Sequence, residues 1–448
     1  MNNDQEISVY RSLGPWEYTT WLYDQFHPAH FSLVAQVKGE FSLEKLKQTL
    51  HQVQQRHPLL RVRIAVDETD KPWLVEDSAQ IPLRIVQRQS SQHWEREVER
   101  ELGIPFVWTQ APLIRSVVVH SPNISELIVT CHHAIADGLS ALYLIRDILS
   151  ALANKNAAPQ LEPLPLLPPV QNLISSEVHY NSVSLDPTSD KVNLLNEENI
   201  QNQKAFQKAI FKNFDHHAIR TTSSYARLCS GSFSPETTQL LIFSCKQKQV
   251  SVHSAICAAF LMAIYRQNCS EQAQTLKCVS PINIRSYLTP VPEEDFGYYA
   301  SVTLTLHTLT PDLTLWDIAY SLKEQLNQAM KPETILGIIA QSKAEIGSNS
   351  NFQEHWKNMA EPFSYELAVT NLGRLNIPQK FAELELQAIY GPVGQNGAKS
   401  APVVGVATLG NQLFFTLACS ELTLSSIELE ELKKEAIKLL NLALEIES

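Results

Sequence analysis

The stretch from Glu126 to Gly138, ELIVTCHHAIADG, constrains this chain more than any other. Leu127 to Cys131 is a short apolar and β-branched run bounded by polar residues, which reads as a buried strand. It runs into His132 and His133. Adjacent residues on a strand point to opposite faces, so one histidine can face a given cavity while the other holds backbone or fills the core. The same alternation puts Cys131 on the side of His133. Ala134-Ile135-Ala136 carries the chain to Asp137, and Gly138 allows a backbone angle closed to other residues or a close approach by a ligand. Leu139, Leu142, Ile145, Ile148 and Leu149 then line one side of a helix. A histidine is thus presented at the end of a rigid strand with a carboxylate beside it.

The rest of the chain supplies strands and helices in mixed order. Phe31 to Val37 reads as a strand, and Ser42 can cap a helix from Leu43 to about His57, which Pro58 stops. Arg56-His57-Pro58-Leu59-Leu60-Arg61 opens a strand from Leu60 to Val66. Gln160 to Val170 carries four prolines, and the Asn-rich stretch from Asn181 to Gln203 has little to bury, so the domain boundary falls there. Ser234-Pro235-Glu236 starts one helix, and Val252 to Gln267 is apolar nearly all round, as a central helix would be. Arg285 ends an apolar strand, where a guanidinium needs a partner, and Asp137 is the obvious one. Asp295-Phe296-Gly297-Tyr298-Tyr299 follows ten residues on. Thr314 opens a helix with a capping box, and Val403 to Thr408 and Leu413 to Ala418 read as paired strands. Leu367 to Thr370 is a strand leading to Asn371-Leu372-Gly373, with Gly373 in a tight turn. His216-His217-Ala218-Ile219 repeats four letters of the first motif. It lacks the following Asp-Gly and an apolar strand before it, and reads as a loop.

Composition excludes several classes. With 36 basic and 47 acidic residues the net charge is −11, which argues against nucleic acid or an anionic membrane as main partner. The 7 cysteines lack paired spacing and fit free thiols in a reducing compartment. Neither a signal peptide nor an apolar run of roughly 20 residues is visible, and a cytoplasmic protein without a membrane span is expected. A metal site from His132, His133 and Asp137 conflicts with the divergence of neighbouring strand residues. No Gly-x-Ser-x-Gly nucleophile elbow is present. A covalent role for Cys131 stays open, beside its reading as a small buried filler.

His132-His133-x-x-x-Asp137-Gly138 resembles the signature of the condensation-domain superfamily. That group includes nonribosomal-peptide condensation domains, plant acyltransferases of the BAHD type and polyketide-associated acyltransferases. The Arg-His-Pro-x-Leu-Arg segment, Pro112-Leu113-Ile114-Arg115 and Arg285 are similar to further parts of it. The resemblance implies an α/β fold of two chloramphenicol-acetyltransferase-like lobes, each a mixed sheet with helices, with an active-site tunnel at their interface. Residues 1–158 would form the N-terminal lobe, 159–203 a crossover linker and 204–448 the C-terminal lobe. It also implies that His133 is the general base, that His132 points into the fold, and that Asp137 pairs with Arg285 to fix the loop. Gly138 would let a pantetheine arm pass.

The opening Arg11-Ser12-Leu13-Gly14-Pro15-Trp16-Glu17 and the late Asn371-Leu372-Gly373 look most like the polyketide-associated (phthiocerol dimycocerosyl transferase-like) and alcohol acetyltransferases. BAHD enzymes carry Asp-Phe-Gly-Trp-Gly near the C-terminus, whereas Asp295-Phe296-Gly297 lies much earlier here. The expected activity is therefore transfer of an acyl group from acyl-CoA or an acyl carrier protein to a small-molecule alcohol, in lipid or polyketide biosynthesis or other secondary metabolism. No cofactor is expected beyond the CoA or phosphopantetheine thioester, and no metal. The partners would be the thioester donor, on CoA or a polyketide synthase carrier, and the alcohol. The chain's end, with no adenylation or carrier domain, points to a free-standing monomeric enzyme. Two alternatives are a free-standing amide-forming condensation enzyme and a non-catalytic fold that docks a carrier protein.

Overall fold

The computed structural model describes residues 9–25, 28–68, 71–154, 161–174, 226–268, 272–348, 365–394 and 401–445, with only the backbone of 9, 341–348 and 445. The duplicate His216-His217 and most of the expected 159–203 linker lie outside the described residues. The first half carries β1 (Val9–Ser12), β2 (His30–Lys38), β3 (Val62–Val66), β4 (Pro72–Glu76), β5 (Leu83–Gln87), β6 (Ile114–His120) and β7 (Ile124–His132). The second half carries β8 (Ala226–Ser232), β9 (Gln274–Asn283), β10 (Ala300–Leu309), β11 (Leu367–Arg374), β12 (Lys380–Phe381), β13 (Leu384–Gly394), β14 (Val403–Leu409) and β15 (Gln412–Ser420).

These strands form two six-stranded sheets and a three-stranded one of order β1-β4-β3. The second large sheet runs β10-β9-β11-β14-β15-β8, parallel where β11 meets β9 and β14 and antiparallel elsewhere. The first runs β12-β13-β2-β7-β6-β5. Its inner strands belong to the first half of the chain, but β12 and β13 come from the second. β13 pairs antiparallel with β2, Ile389 opposite Ala35 and Tyr390 opposite Val34. A division at the linker therefore separates the chain but not the sheets. The architecture is the mixed α/β fold of two sheet-and-helix lobes that the motif implied.

β7 sits in the middle of the first sheet, antiparallel to β2 and β6, and is buried on both faces, so it reads as a continuous apolar run. On one face, Leu127, Val129 and Cys131 meet the Leu43–Arg56 and Gly138–Ala153 helices. On the other, Ile128 meets Trp94, Val98 and Leu102 of the His93–Leu102 helix, whose far side touches Ala226 and Leu228 of β8. That helix joins the lobes. In the second lobe, Ser254 to Leu261 of the Val252–Gln267 helix are all buried between the sheet and its neighbouring helices. No single described helix is long and apolar enough to cross a membrane.

Local signals placed most boundaries. The side chains of Ser42, Ser234 and Thr314 each accept the backbone N–H three residues on, caps worth about 1 kcal/mol apiece. Two expectations need correction. The strand expected from Leu60 starts at Val62, because Pro58–Arg61 first forms a 3₁₀ turn. Gly373 does not end its strand. β11 continues to Arg374 through a register shift, Gly373 takes φ +69°, and its N–H is held by Asn371 Oδ1 at 2.7 Å. A bulge with a left-handed glycine has the same local signature as a turn.

Candidate active site

β7 delivers both histidines to one end of the first sheet, and the chain turns immediately after His132. His132 is wholly buried. Its Nδ1 accepts the Ala134 N–H at 3.0 Å, so the proton of the ring sits on Nε2, which faces Asp24 Oδ2 at 3.4 Å. Burial works to raise the Asp24 carboxyl, but His132 and the Ala29 N–H outweigh it and hold Asp24 below the usual carboxylate range. His30, opposite His132 in the strand register, donates from Nε2 to the Glu101 and Leu102 carbonyls, and burial pushes it down to about 3.

His133 is fixed differently. Its backbone N–H donates to Ala29 O at 2.8 Å, and its Nδ1 lies 3.2 Å from the Ala136 carbonyl. A carbonyl can only accept, so Nδ1 carries the proton and Nε2 keeps a lone pair. Nε2 makes no hydrogen bond among the described residues, and the side chain is partly accessible. Burial lowers His133 to about 4, partly offset by the Ala136 carbonyl, so the ring is neutral at pH 7. Phe31 lies against one side of it at 4.4 Å between ring centres, and Tyr298 meets it edge-on at 5.8 Å. Cys131, on the same strand face, is fully buried, and burial pushes its thiol up, which makes it an inert filler.

Asp137 caps the Gly138–Ala153 helix, accepting the Ser140 N–H at 2.8 Å. Arg285 grips both of its carboxylate oxygens, Nη1 to Oδ2 at 2.8 Å and Nη2 to Oδ1 at 3.0 Å, and Tyr299 N–H adds a bond to Oδ2 at 3.0 Å. Burial raises the carboxyl, but the guanidinium and these N–H donors win and hold it well below the usual range. An ion held this way stays a carboxylate and is no proton acceptor. Ser140 completes the node: its hydroxyl donates to Gly297 O at 2.7 Å and accepts from Gly297 N–H and Arg285 Nη2. The backbone N–H of Asp137 also donates to Gly297 O. The 297–299 segment of the second half is thus sewn onto the histidine loop of the first.

Gly138 departs from its expected role. A Cβ there would meet Pro392 Cγ at 2.6 Å and Leu372 Cδ2 at 2.9 Å. The space above it is filled by β13 and by the Asn-Leu-Gly of β11, so the glycine admits protein rather than a pantetheine arm. Sequence reasoning gave no role to Tyr298, Ser140 or Asp24. Tyr298 follows directly on the noticed Asp-Phe-Gly, and Ser140 stands at the third helical position after a capping aspartate. Asp24 carries no local signal.

The site thus joins a histidine packed on Phe31 and Tyr298 to a loop whose aspartate is clamped by an arginine of the second half. In comparison with known proteins, residues 18–182 match the condensation-domain family, and residues 222–413 match the phthiocerol/phthiodiolone dimycocerosyl transferase C-terminus family. The two halves of the chain thus match, one after the other, a condensation domain and the C-terminal part of a dimycocerosyl transferase family. It resembles the structures of polyketide synthase associated protein 5 from Mycobacterium tuberculosis (16% identity, TM-score 0.62, covering 97% of this chain and 99% of that one) and of trichothecene 15-O-acetyltransferase TRI3 from Fusarium sporotrichioides (11%, 0.68, 99% and 96%). In sequence it is 28% identical over 167 residues to a linear gramicidin synthase polypeptide of Brevibacillus parabrevis, covering 33% of this chain but only 3% of that protein.

Proposed function

We propose that this protein transfers an acyl group from a thioester, on CoA or a carrier protein, to a hydroxyl acceptor, with His133 as general base. The observation that carries the reading is the state of His133: neutral, with Nδ1–H tied to Ala136 O and Nε2 unengaged and partly accessible. Nε2 takes the proton of the acceptor hydroxyl as its oxygen attacks the thioester carbonyl. The tetrahedral intermediate collapses with cleavage of the C–S bond, and the imidazolium returns the proton to the departing thiolate. Ester and thiol are the products, and this chemistry needs no further cofactor. Asp137 and Arg285 act by holding the loop that aims the imidazole. The second half's kinship to a dimycocerosyl transferase family and the fold's likeness to an O-acetyltransferase favour oxygen over nitrogen as acceptor. The condensation-domain match of the first half keeps amide formation as the second reading.

The test is thiol release from a panel of acyl-CoAs with and without a long-chain alcohol, for wild type and His133→Ala. Alcohol-dependent release that vanishes in the variant supports the proposal, and the variant also corrects for the protein's own thiols. Wild-type and variant traces that coincide with both CoA and acyl-carrier donors would overturn it. Release that requires an amine would replace it by the second reading.

A further inference from the structure

The Pro15–Asp24 helix ends on a carboxylate set against His132. Asp24 is 3% exposed, and a charge there meets two costs at once: burial strips its water, and the C-terminal end of a helix dipole repels an anion. The helix is held at its other end too, where Glu17 binds Arg11 at 2.6 and 2.7 Å and the Gly14 N–H at 2.7 Å. What offsets the costs is where the two carboxylate oxygens of Asp24 point.

Asp24 Oδ1 accepts the Ala29 N–H at 2.9 Å, and the Ala29 carbonyl in turn accepts the His133 N–H at 2.8 Å. Asp24 Oδ2 faces His132 Nε2 at 3.4 Å, and Nδ1 of the same ring accepts the Ala134 N–H at 3.0 Å. His133 is therefore bracketed along the chain. Ala29 holds its own N–H, His132 holds the N–H of the residue after it, and both lines run back to one carboxylate. His30, opposite His132 in the strand register, directs its ring proton to the Glu101 and Leu102 carbonyls.

These lines fix the order of the protons. The Ala29 and Ala134 N–H groups only donate, so Oδ1 and Nδ1 must accept, the ring proton sits on Nε2, and Oδ2 must accept as well. A carboxylate meets both demands because neither oxygen carries a proton. An amide of the same size does not. With its oxygen towards Ala29, its NH2 meets the His132 Nε2–H; turned round, it meets the Ala29 N–H. Moving the ring proton to Nδ1 sets that proton against the Ala134 N–H.

We propose that Asp24 is a positioning residue for His133, fixing the backbone on either side of that histidine from the end of the Pro15–Asp24 helix. This anchor lies wholly in the first half, whereas the Asp137–Arg285 clamp joins the two halves. Its consequence for turnover rests on the reading of His133 as base, and its geometry does not.

Asp24→Asn tests the proton order at constant size. Hydrogen exchange followed by NMR should show the His133 amide exchanging about tenfold faster or more than in wild type, with the amides of β9 in the other lobe unchanged. In the thiol-release assay kcat should fall about 10- to 100-fold, the scale of cost for a misplacement of up to about 1 Å, while KM for donor and acceptor stays within about twofold. Replacing His132 as well should reverse the loss. His132→Ala removes the opposing N–H, so in His132→Ala/Asp24→Asn the amide oxygen holds Ala29 again. Both kcat and His133 protection should then return towards those of His132→Ala, although the protein is less stable. In the same background Asp24→Ala, with no oxygen for Ala29, should lose both, a comparison that stands even if Asp24→Asn alone does not fold. The proposal is overturned by wild-type exchange and kcat in Asp24→Asn, by a double variant no better than Asp24→Asn, or by equal behaviour of Asn and Ala at position 24 in the His132→Ala background. The expected exchange pattern with turnover that does not depend on His133 would overturn the catalytic reading and leave the anchor in place.

Discussion

Two neighbouring histidines in this protein live in opposite surroundings. His132 is sealed in the first lobe, with both ring nitrogens directed at groups of the same lobe, Ala134 and Asp24. His133, one residue later, has one nitrogen fixed by Ala136 and the other unengaged, and its ring rests between Phe31 of the first half and Tyr298 of the second. The same side chain is wholly engaged with the protein in one place and keeps an unengaged nitrogen in the next. The difference comes from the strand's alternation and from where the chain turns. A histidine with every polar atom directed at the protein can only stabilise, whereas a free lone pair held in a neutral ring can react.

This contrast makes opposed predictions for the two positions. His133→Ala should lower turnover by about 10² to 10⁴-fold, the usual contribution of a general base, while the melting temperature moves little. Asp137→Ala removes one partner of a buried bidentate pair and leaves Arg285 unpaired. It should cost about 3–5 kcal/mol in denaturant unfolding, and turnover should fall with it because the His133 loop loses its anchor. His132→Ala should show the reverse of His133→Ala, losing about 1–3 kcal/mol of stability for the buried Asp24 oxygen left without its neighbour. If His132→Ala instead abolished turnover with unchanged stability, the division of labour between the histidines would be wrong.

The smallest effects concern pH. With His133 lowered to about 4, kcat/KM should hold level from neutral pH down to about 5 and fall below that, rather than titrating near 6.5. The stability sign follows from the same shift. The unfolded chain, with histidine near 6.5, binds a proton that the folded His133 refuses between about pH 6.5 and 4. Stability is therefore full above about 6.5 and is lost as the pH falls through that window, with His30, His253 and His307 adding in the same direction. An acid limb of kcat/KM centred near 6.5 would show that His133 is more solvated than its surroundings indicate.

Much of this was legible from local pattern. The Leu127–Cys131 run, the cap at Ser42, the Ser-Pro-Glu start at 234 and the all-round apolar Val252–Gln267 helix each fall where periodicity and capping put them. Arg285 stood out because an arginine at the end of an apolar strand needs a partner, and Asp137 is bonded to it across 148 residues of chain. Gly138 misled, since a glycine states that something comes close without stating what. Gly373 misled for a similar reason, because turn and bulge demand the same φ.

The amino-acid sequence by itself determined the elements marked by period and caps, such as the Leu127–Cys131 strand and the Val252–Gln267 helix, the chemistry held in His132-His133-x-x-x-Asp137-Gly138 and the family that motif implies. Those are properties of residues within one or two turns of each other, where hydrophobic period, capping and spacing act directly. Tertiary structure alone decided that β12 and β13 complete the first sheet, that Pro392 and Leu372 lie on Gly138, and that Tyr298 stands beside His133. It also decided that burial keeps the His133 ring neutral. These depend on contacts between distant segments and on exclusion of water. No local pattern encodes either, because each arises only when the two halves of the chain close on one another.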